Sequence, residues 1–444
     1  MTLEPATKKT DRPSWAAYLA INSSTGALLG AILLVCLGSE LWGPFLPNFM
    51  RSDLAASILV IALYGSFRDL LEAINYFIGG YIAGRFNTRR GLLLFNALPL
   101  VGLLILLFGP MLLGPQSWIV FLAIPFVFVW DSIAGPALLT VVGDSLPSER
   151  RAMAFSLQSL FRRVSRMLAY AVNAGLVYFA GVKLGMEVAF GLSFFVVLAS
   201  LFVQQRFMKT ASKDKETIIN HPIQVLRSFH PQLKRLLAAD IFARLAEGMP
   251  RELIILFTIA VFIKALGLKA NDAAAMFAAM LIVSQVTSAI TYLPMGAIAS
   301  QPGFGKRPYI GLTFIFFASF PAVLAGLGLL VLHAALPYAA VIGLMGLAFV
   351  FAGMREVGEP ARKAMIVDLI PPESKTQSIG IYWSARCVAV MLAPLVGGAI
   401  WIGTNLAYGK DIADPLGPGP VAMLLASSLC GIVGVCYYYA RFGK

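Results

Sequence analysis

Apolar stretches long enough to cross a bilayer recur along the whole chain, separated by short clusters of Pro, Gly and charged residues. A hydrocarbon core of about 30 Å needs about 20 apolar residues per helix, and the pattern predicts twelve such spans. They cover residues 25–50, 54–84, 91–112, 117–145, 151–181, 184–206, 236–263, 272–298, 308–332, 337–368, 375–403 and 420–440. Several exceed 25 residues, which implies tilt or projection beyond the bilayer. The longest polar interval, 207–234, falls near the midpoint and reads as a linker between two sets of six spans. The expected organisation is an all-α polytopic membrane protein in two pseudo-symmetric six-helix bundles, an N-terminal half at 1–206 and a C-terminal half at 235–444.

Composition supports this class. Of 444 residues, 59% are hydrophobic and 13% charged, with a mean hydropathy of +0.80, whereas ordinary soluble domains carry about 25% charged residues. A soluble globule is excluded. The net charge of +13 invites nucleic acid as a partner, but the Lys and Arg fall in short loops between apolar spans, where basic residues fix orientation. One side, holding Lys8, Lys9, Arg12, the 2/3 and 4/5 loops, the linker, Lys306, Arg307, Lys375 and Arg441, collects about 20 of them. The other side has five: Arg51, Lys183, Lys264, Lys269 and Lys410. Both termini are therefore expected in the cytoplasm, as an even number of spans also requires. The four cysteines, Cys36, Cys387, Cys430 and Cys436, lie in apolar stretches, which argues against a disulfide framework. The basic N-terminus lacks a small-residue cleavage site, so the first span is expected to be retained.

The halves repeat. Pro136, Ala137, Asp144, Pro147 and Glu149 recur as Pro360, Ala361, Asp368, Pro371 and Glu373 at a constant offset of 224, which also carries Arg162 onto Arg386. An internal repeat of half the chain is a common plan of transporters.

Twelve spans in two repeated halves joined by a cytoplasmic linker resemble the major facilitator superfamily. The loop between spans 2 and 3, Gly80-Tyr-Ile-Ala-Gly84-Arg85-Phe-Asn87-Thr-Arg89-Arg90, is similar to that family's most specific motif. Gly80, Arg85, Arg89 and Arg90 match, while Gly84 replaces an Asp and Asn87 a Gly; Asn tolerates the left-handed backbone, so the turn can survive. In the family that Asp helps hold the halves together on the cytoplasmic side. The resemblance therefore implies a lock that is weaker here or is supplied by Asp144 or Glu149. The second-half loop, Gly296-Ala-Ile-Ala-Ser300 with Lys306-Arg307, departs further. Ala393-Pro394-Leu395-Val396-Gly397-Gly398 looks like the family's exporter signature, but it stands in span 11, whereas span 5 has Ala169-Tyr170-Ala171-Val172-Asn173-Ala174. Close helix packing is the other reading of such small residues.

Candidate chemistry narrows the class. Gly303-Phe-Gly305-Lys306-Arg307 lacks the spacing of a phosphate-binding loop, and His221, His230 and His333 are too few and too scattered for a metal cluster or a His base within the membrane. Neither ATP-driven pumping nor a metal or other cofactor is expected. What the spans carry instead is ionisable residues, each costing at least about 2.5 kcal/mol at mid-membrane unless paired or hydrated. They are Glu40; Arg68, Asp69 and Glu72; Asp131; Arg162, Arg163 and Arg166; Asp240, Arg244, Glu247, Arg251 and Glu252; Arg355, Glu356, Glu359 and Arg362; and Arg386. Spans 3, 6, 9 and 12 have none away from their ends, Glu187 and Arg206 lying near the two ends of span 6. In the family's fold spans 1, 4, 7 and 10 line the central path and 2, 5, 8 and 11 join the halves, so this distribution is what a hydrated passage between halves requires. Glu40, the lone charge of its span, is the foremost candidate for a proton or substrate role. The repeat sets Asp131 opposite Arg355 in sequence register, suggesting an ion pair across the passage. Asp240 with Arg244 and Glu247 with Arg251 have the spacing of local i, i+4 pairs. Pro44, Pro47, Pro250 and Pro360 interrupt spans 1, 7 and 10, as static kinks or as hinges.

The function expected is secondary active transport by alternating access, driven by a proton gradient and exporting a small amphipathic or anionic organic molecule. Proton-coupled import or uniport of an organic anion is the alternative. An integral membrane enzyme acting on lipids would gather its catalytic residues near one interface, and a receptor would attach a larger soluble domain. The chain is expected to be a monomer in a prokaryotic cytoplasmic membrane, with a small-molecule substrate, the lipid bilayer as its surroundings and no nucleic-acid partner.

Overall fold

The computed structural model describes residues 23–85, 88–130, 132–133, 148–207, 221–299, 306–370 and 375–442, and among them every regular element is helical. Seven of the helices are long and apolar enough to cross a membrane, with Trp118–Val127 and Ile254–Leu266 as shorter apolar helices. Span 1 is Ser23–Glu40 continued by Leu46–Ser52, span 2 is Ile58–Arg85, span 3 Thr88–Leu113, and span 4 opens with Trp118–Val127. Spans 5 and 6 form one helical run, Ser148–Phe207, that reverses at Gly181. There φ is +80° and ψ 171°, a conformation open to glycine because it has no Cβ. Span 7 is Pro231–Gly248 and Ile254–Leu266, span 8 Ala270–Ala299 and span 9 Arg307–His333. Tyr338–Met354 and Glu359–Asp368 make span 10, Lys375–Val390 and Ala393–Ala407 span 11, and Pro418–Phe442 span 12. Part of the interval expected to be linker is helical, since Pro222–Ser228 is a short helix and span 7 already starts at Pro231. The His230 side chain caps that start by accepting the Gln232 N–H at 3.2 Å.

Spans 1, 7, 10 and 11 are each broken in two, and proline stands in the first turn of the helix that follows the break in spans 1, 10 and 11. Proline suits that position because its missing N–H is not needed there. In span 7, Pro250 lies in the turn between the two helices. Backbone groups freed in the membrane must find partners, and neighbouring spans supply them. Asn173 of span 5 donates to the Leu41 carbonyl at 2.6 Å, and the Thr313 hydroxyl of span 9 accepts the Gly358 N–H at 2.7 Å.

The halves meet along two lateral seams, span 2 against span 11 and span 5 against span 8. In the first seam Gly80 and Gly380 touch backbone to backbone, and a Cβ on Gly380 would lie 2.6 Å from the Tyr76 carbonyl oxygen. At the end of the bundle that carries the 1/2 connection, one apolar cluster unites both halves, with Trp42 and Phe45 of span 1 buried together with Phe257 of span 7 and Phe277 of span 8. The Phe45 and Phe277 rings meet edge to face at 6.0 Å, and Phe277 meets Phe349 of span 10 in the same way. Apolar contact thus seals the 1/2 end. A second cluster, built around Phe155, Leu236, Phe314 and Trp383, occupies the linker end.

Candidate functional site

Between the halves, at the depth of the helix breaks, lies a cavity of about 500 Å³. Its wall includes Glu40, Arg68, Asp69, Glu72, Arg162, Arg166, Glu247, Arg251, Arg355, Glu356, Glu359 and Arg386, so these charges, scattered over 347 positions of sequence from Glu40 to Arg386 counted inclusively, converge on one space. Asp131 lies outside the described residues.

Two bridges of charge cross from one half to the other, one on each seam. On the first, Asp69 of span 2 accepts from Arg251 of span 7 at 2.9 Å, while Arg68 stands 3.7 Å from Glu252 and 3.2 Å from Glu72. On the second, Arg163 of span 5 reaches Glu356 of span 10 at 2.9 Å, Gln285 of span 8 at 2.7 Å and the Tyr292 hydroxyl at 3.0 Å. Arg163 is buried, and among the described residues its partners belong to the other half. Removing one member of such a pair leaves a buried charge without compensation, a loss of about 3 to 5 kcal/mol.

Within each half further charges are paired. Glu40 is not isolated: Arg166 forms an ion pair with it at 2.6 Å and the Tyr170 hydroxyl donates to it at 2.7 Å, both from span 5. In the C-terminal half Arg244 holds Glu247 at 2.6 Å with Asp240 at 3.8 Å and Glu359 at 3.7 Å. Arg362 clasps Asp240 and, at 2.5 Å, Glu359. One sequence expectation changes here. The i, i+4 pair of Glu247 with Arg251 does not form, because the helix ends at Gly248 and the turn at Pro250 swings Arg251 toward span 2. Arg355 has Glu247 at 3.5 Å as its carboxylate partner and lies over the Phe317 and Phe320 rings, at 5.3 and 4.7 Å.

Of the loop motif, Gly80 packs against Gly380, while Arg85 ends the span 2 helix and Arg89 and Arg90 fall in the first turn of span 3. Asp144 lies outside the described residues. Its counterpart in the repeat, Asp368, forms an ion pair with Lys306 of the 8/9 loop. The Ala393–Gly398 motif sits where the halves touch: a Cβ on Gly398 would lie 2.7 Å from Ala62 of span 2, and one on Gly397 would overlap the Met249 carbonyl. Tyr170, Tyr292 and Gln285 are site residues that sequence reasoning passed over. The signal for them was indirect, since a buried arginine or glutamate requires polar partners and these are polar tips on otherwise apolar spans.

The chain is similar to proteins of known structure and class. Residues 28–394 match the family described as Major Facilitator Superfamily. Among solved structures, the human organic anion transporter MFSD10 (TETRAN) aligns with a TM-score of 0.64 at 14% identity, over 94% of this chain and 99% of that one. A point mutant of the nucleoside transporter NupG aligns with a TM-score of 0.68 at 13% identity, over 95% and 100%. The proton:xylose symporter XylE, bound to 6-bromo-6-deoxy-D-glucose, gives 0.67 at 12% identity over 96% of each chain. No curated protein sequence matches.

Proposed function

The chain belongs to the major facilitator superfamily, and we propose that it is a proton-coupled secondary transporter that exports a small amphipathic organic anion by rocking of its two halves about the central cavity. The observation that carries this reading is the pair of charge bridges between halves, Asp69 with Arg251 and Arg163 with Glu356, both on the cavity wall. Rocking must part such contacts on one side or the other, and a carboxylate that alternates between an arginine and water changes its affinity for a proton as it does so. The cavity wall mixes guanidinium groups with the Phe128, Phe320 and Trp383 rings, which suits a solute with a charged end and an apolar body. Export is supported by the small residues of Ala393–Gly398, which lie in the interface that has to move. The halves proposed are 1–206 and 235–444, with 207–234 between them and both termini cytoplasmic.

Reconstitution in proteoliposomes tests this. A lumen more acidic than the bath should drive uptake of a labelled organic anion, because protons leaving exchange for anion entering. Uptake driven by an acidic bath instead identifies the import form, and flux indifferent to either gradient rejects proton coupling.

A further inference from the structure

Most arginines of the cavity have a carboxylate within 3.2 Å, as Arg166 and Arg244 do at 2.6 Å, although each of these two leaves its Nε buried without a hydrogen-bond partner. Among the described residues, Arg386 of span 11 has no carboxylate that close. Its Nε and Nη1 are buried without a hydrogen-bond partner, although the residue is only 8% exposed and lines the cavity. Asp240 stands 3.7 Å from Nη1, beyond hydrogen-bond reach, and is already held by Arg362. The guanidinium lies over the Trp383 ring, 3.9 Å from its centroid, and Tyr76 of the other half stacks on the same indole at 5.8 Å. A guanidinium laid on an aromatic face keeps its N–H donors in its own plane, directed sideways, which is the fork that a carboxylate accepts. A buried polar group left unsatisfied in this way is costly unless a ligand completes it.

Resting on the transport reading above, we infer that Arg386 is the docking group for the carboxylate of the transported anion, with Trp383 as the platform that holds it. The substrate class is an aryl monocarboxylate. Its ring has apolar wall to rest on, since Phe277, Phe349, Leu281 and Val390 line the same cavity, while Arg68 and Arg355 lie over the Phe128 and Phe320 rings. Because Tyr76 and Trp383 belong to opposite halves, the docked carboxylate sits at the seam that rocking disturbs.

The thermal unfolding midpoint of the full-length protein in detergent, titrated with benzoate and 1-naphthoate, tests the assignment, with benzamide as the uncharged analogue. A ligand that binds the folded state raises the midpoint saturably. The carboxylates should do so and benzamide should not. Arg386→Gln should abolish the response, and Arg386→Lys, which keeps the charge and loses the fork, should weaken affinity about tenfold or more. Equal responses to benzoate and benzamide in the unaltered protein, which needs no variant to fold, overturn the proposal, as does an undiminished response in Arg386→Lys. No saturable response to either carboxylate overturns the substrate class. Labelled benzoate flux separates this from the broader reading: gradient-driven flux with an unchanged half-saturating benzoate concentration in Arg386→Lys removes the docking role alone. Binding lost in Arg386→Lys, with no flux in the unaltered protein, removes the transport reading alone.

Discussion

Glu40 pairs with a cation and accepts a hydrogen bond from a phenol, Arg166 at 2.6 Å and Tyr170 at 2.7 Å, so its carboxylate is held from span 5. If it carries the coupled proton, Glu40→Gln should abolish gradient-driven accumulation yet preserve anion exchange at equilibrium, since the amide keeps the shape and cannot titrate. Undiminished accumulation in proteoliposomes removes Glu40 from the proton path. Arg163 makes a second test at this scale. Arg163→Gln should lower thermal stability and flux strongly, whereas adding Glu356→Gln should recover part of the loss, a coupling of about 1 to 3 kcal/mol in a double-mutant cycle. Strictly additive losses would mean that the 2.9 Å contact does not hold the halves together. The charges themselves were legible in the sequence because a charge in an apolar span announces itself. Their partners were less so: Tyr170 and Tyr292 count as apolar in any hydropathy pattern, and only the folded chain shows which hydroxyl meets a carboxylate. A two-fold relation makes Asp131 and Arg355 equivalent without by itself making them adjacent; Asp131 lies outside the described residues, and Arg355 is held from span 7 by Glu247.

At the scale of helices, the seam between spans 2 and 11 depends on the absence of side chains. Gly380→Val should push the two spans apart at the linker end, since even a Cβ there comes within 2.6 Å of the Tyr76 carbonyl oxygen and 2.9 Å of the Gly80 Cα. Flux and thermal stability should both fall, whereas Gly343→Val, where a Cβ meets nothing within 4 Å, should leave them near their original values. Equal behaviour of the two variants would show that the seam tolerates separation. The all-helical membrane class was legible from hydropathy alone, and so were the prolines of spans 1, 7 and 10. The break in span 11 was not, although Pro394 stands in the turn after it. Hydrophobic periodicity runs through a break without changing, because the residues on both sides face lipid or core as before. What fixes the place is a tertiary partner for the freed backbone, such as Asn173 on the Leu41 carbonyl. Helix inside the supposed linker was missed for the opposite reason, since polar residues at the membrane surface can be helical without being buried.

For the molecule as a whole, the asymmetry of basic residues makes a topological prediction. In a chain whose four native cysteines are replaced, a cysteine at Lys410 should react with an impermeant reagent in intact cells and one at Lys213 should not; the reverse pattern refutes the orientation. The two ends of the bundle differ in a further respect. Contact between the halves at the 1/2 end includes an apolar ring contact, Phe45 on Phe277, whereas the middle is joined by charge. Parting the rings exposes apolar surface to water and so carries a positive heat-capacity change. The balance between the two arrangements of the halves should therefore curve with temperature. Because apolar burial weakens on cooling, chilling should populate the arrangement open at that end. Spin labels flanking Phe45 and Phe277 should report longer distances near the freezing point than at room temperature, and flux should depart from a straight Arrhenius line: this transporter's resting state would be set by the thermometer as well as by the gradient.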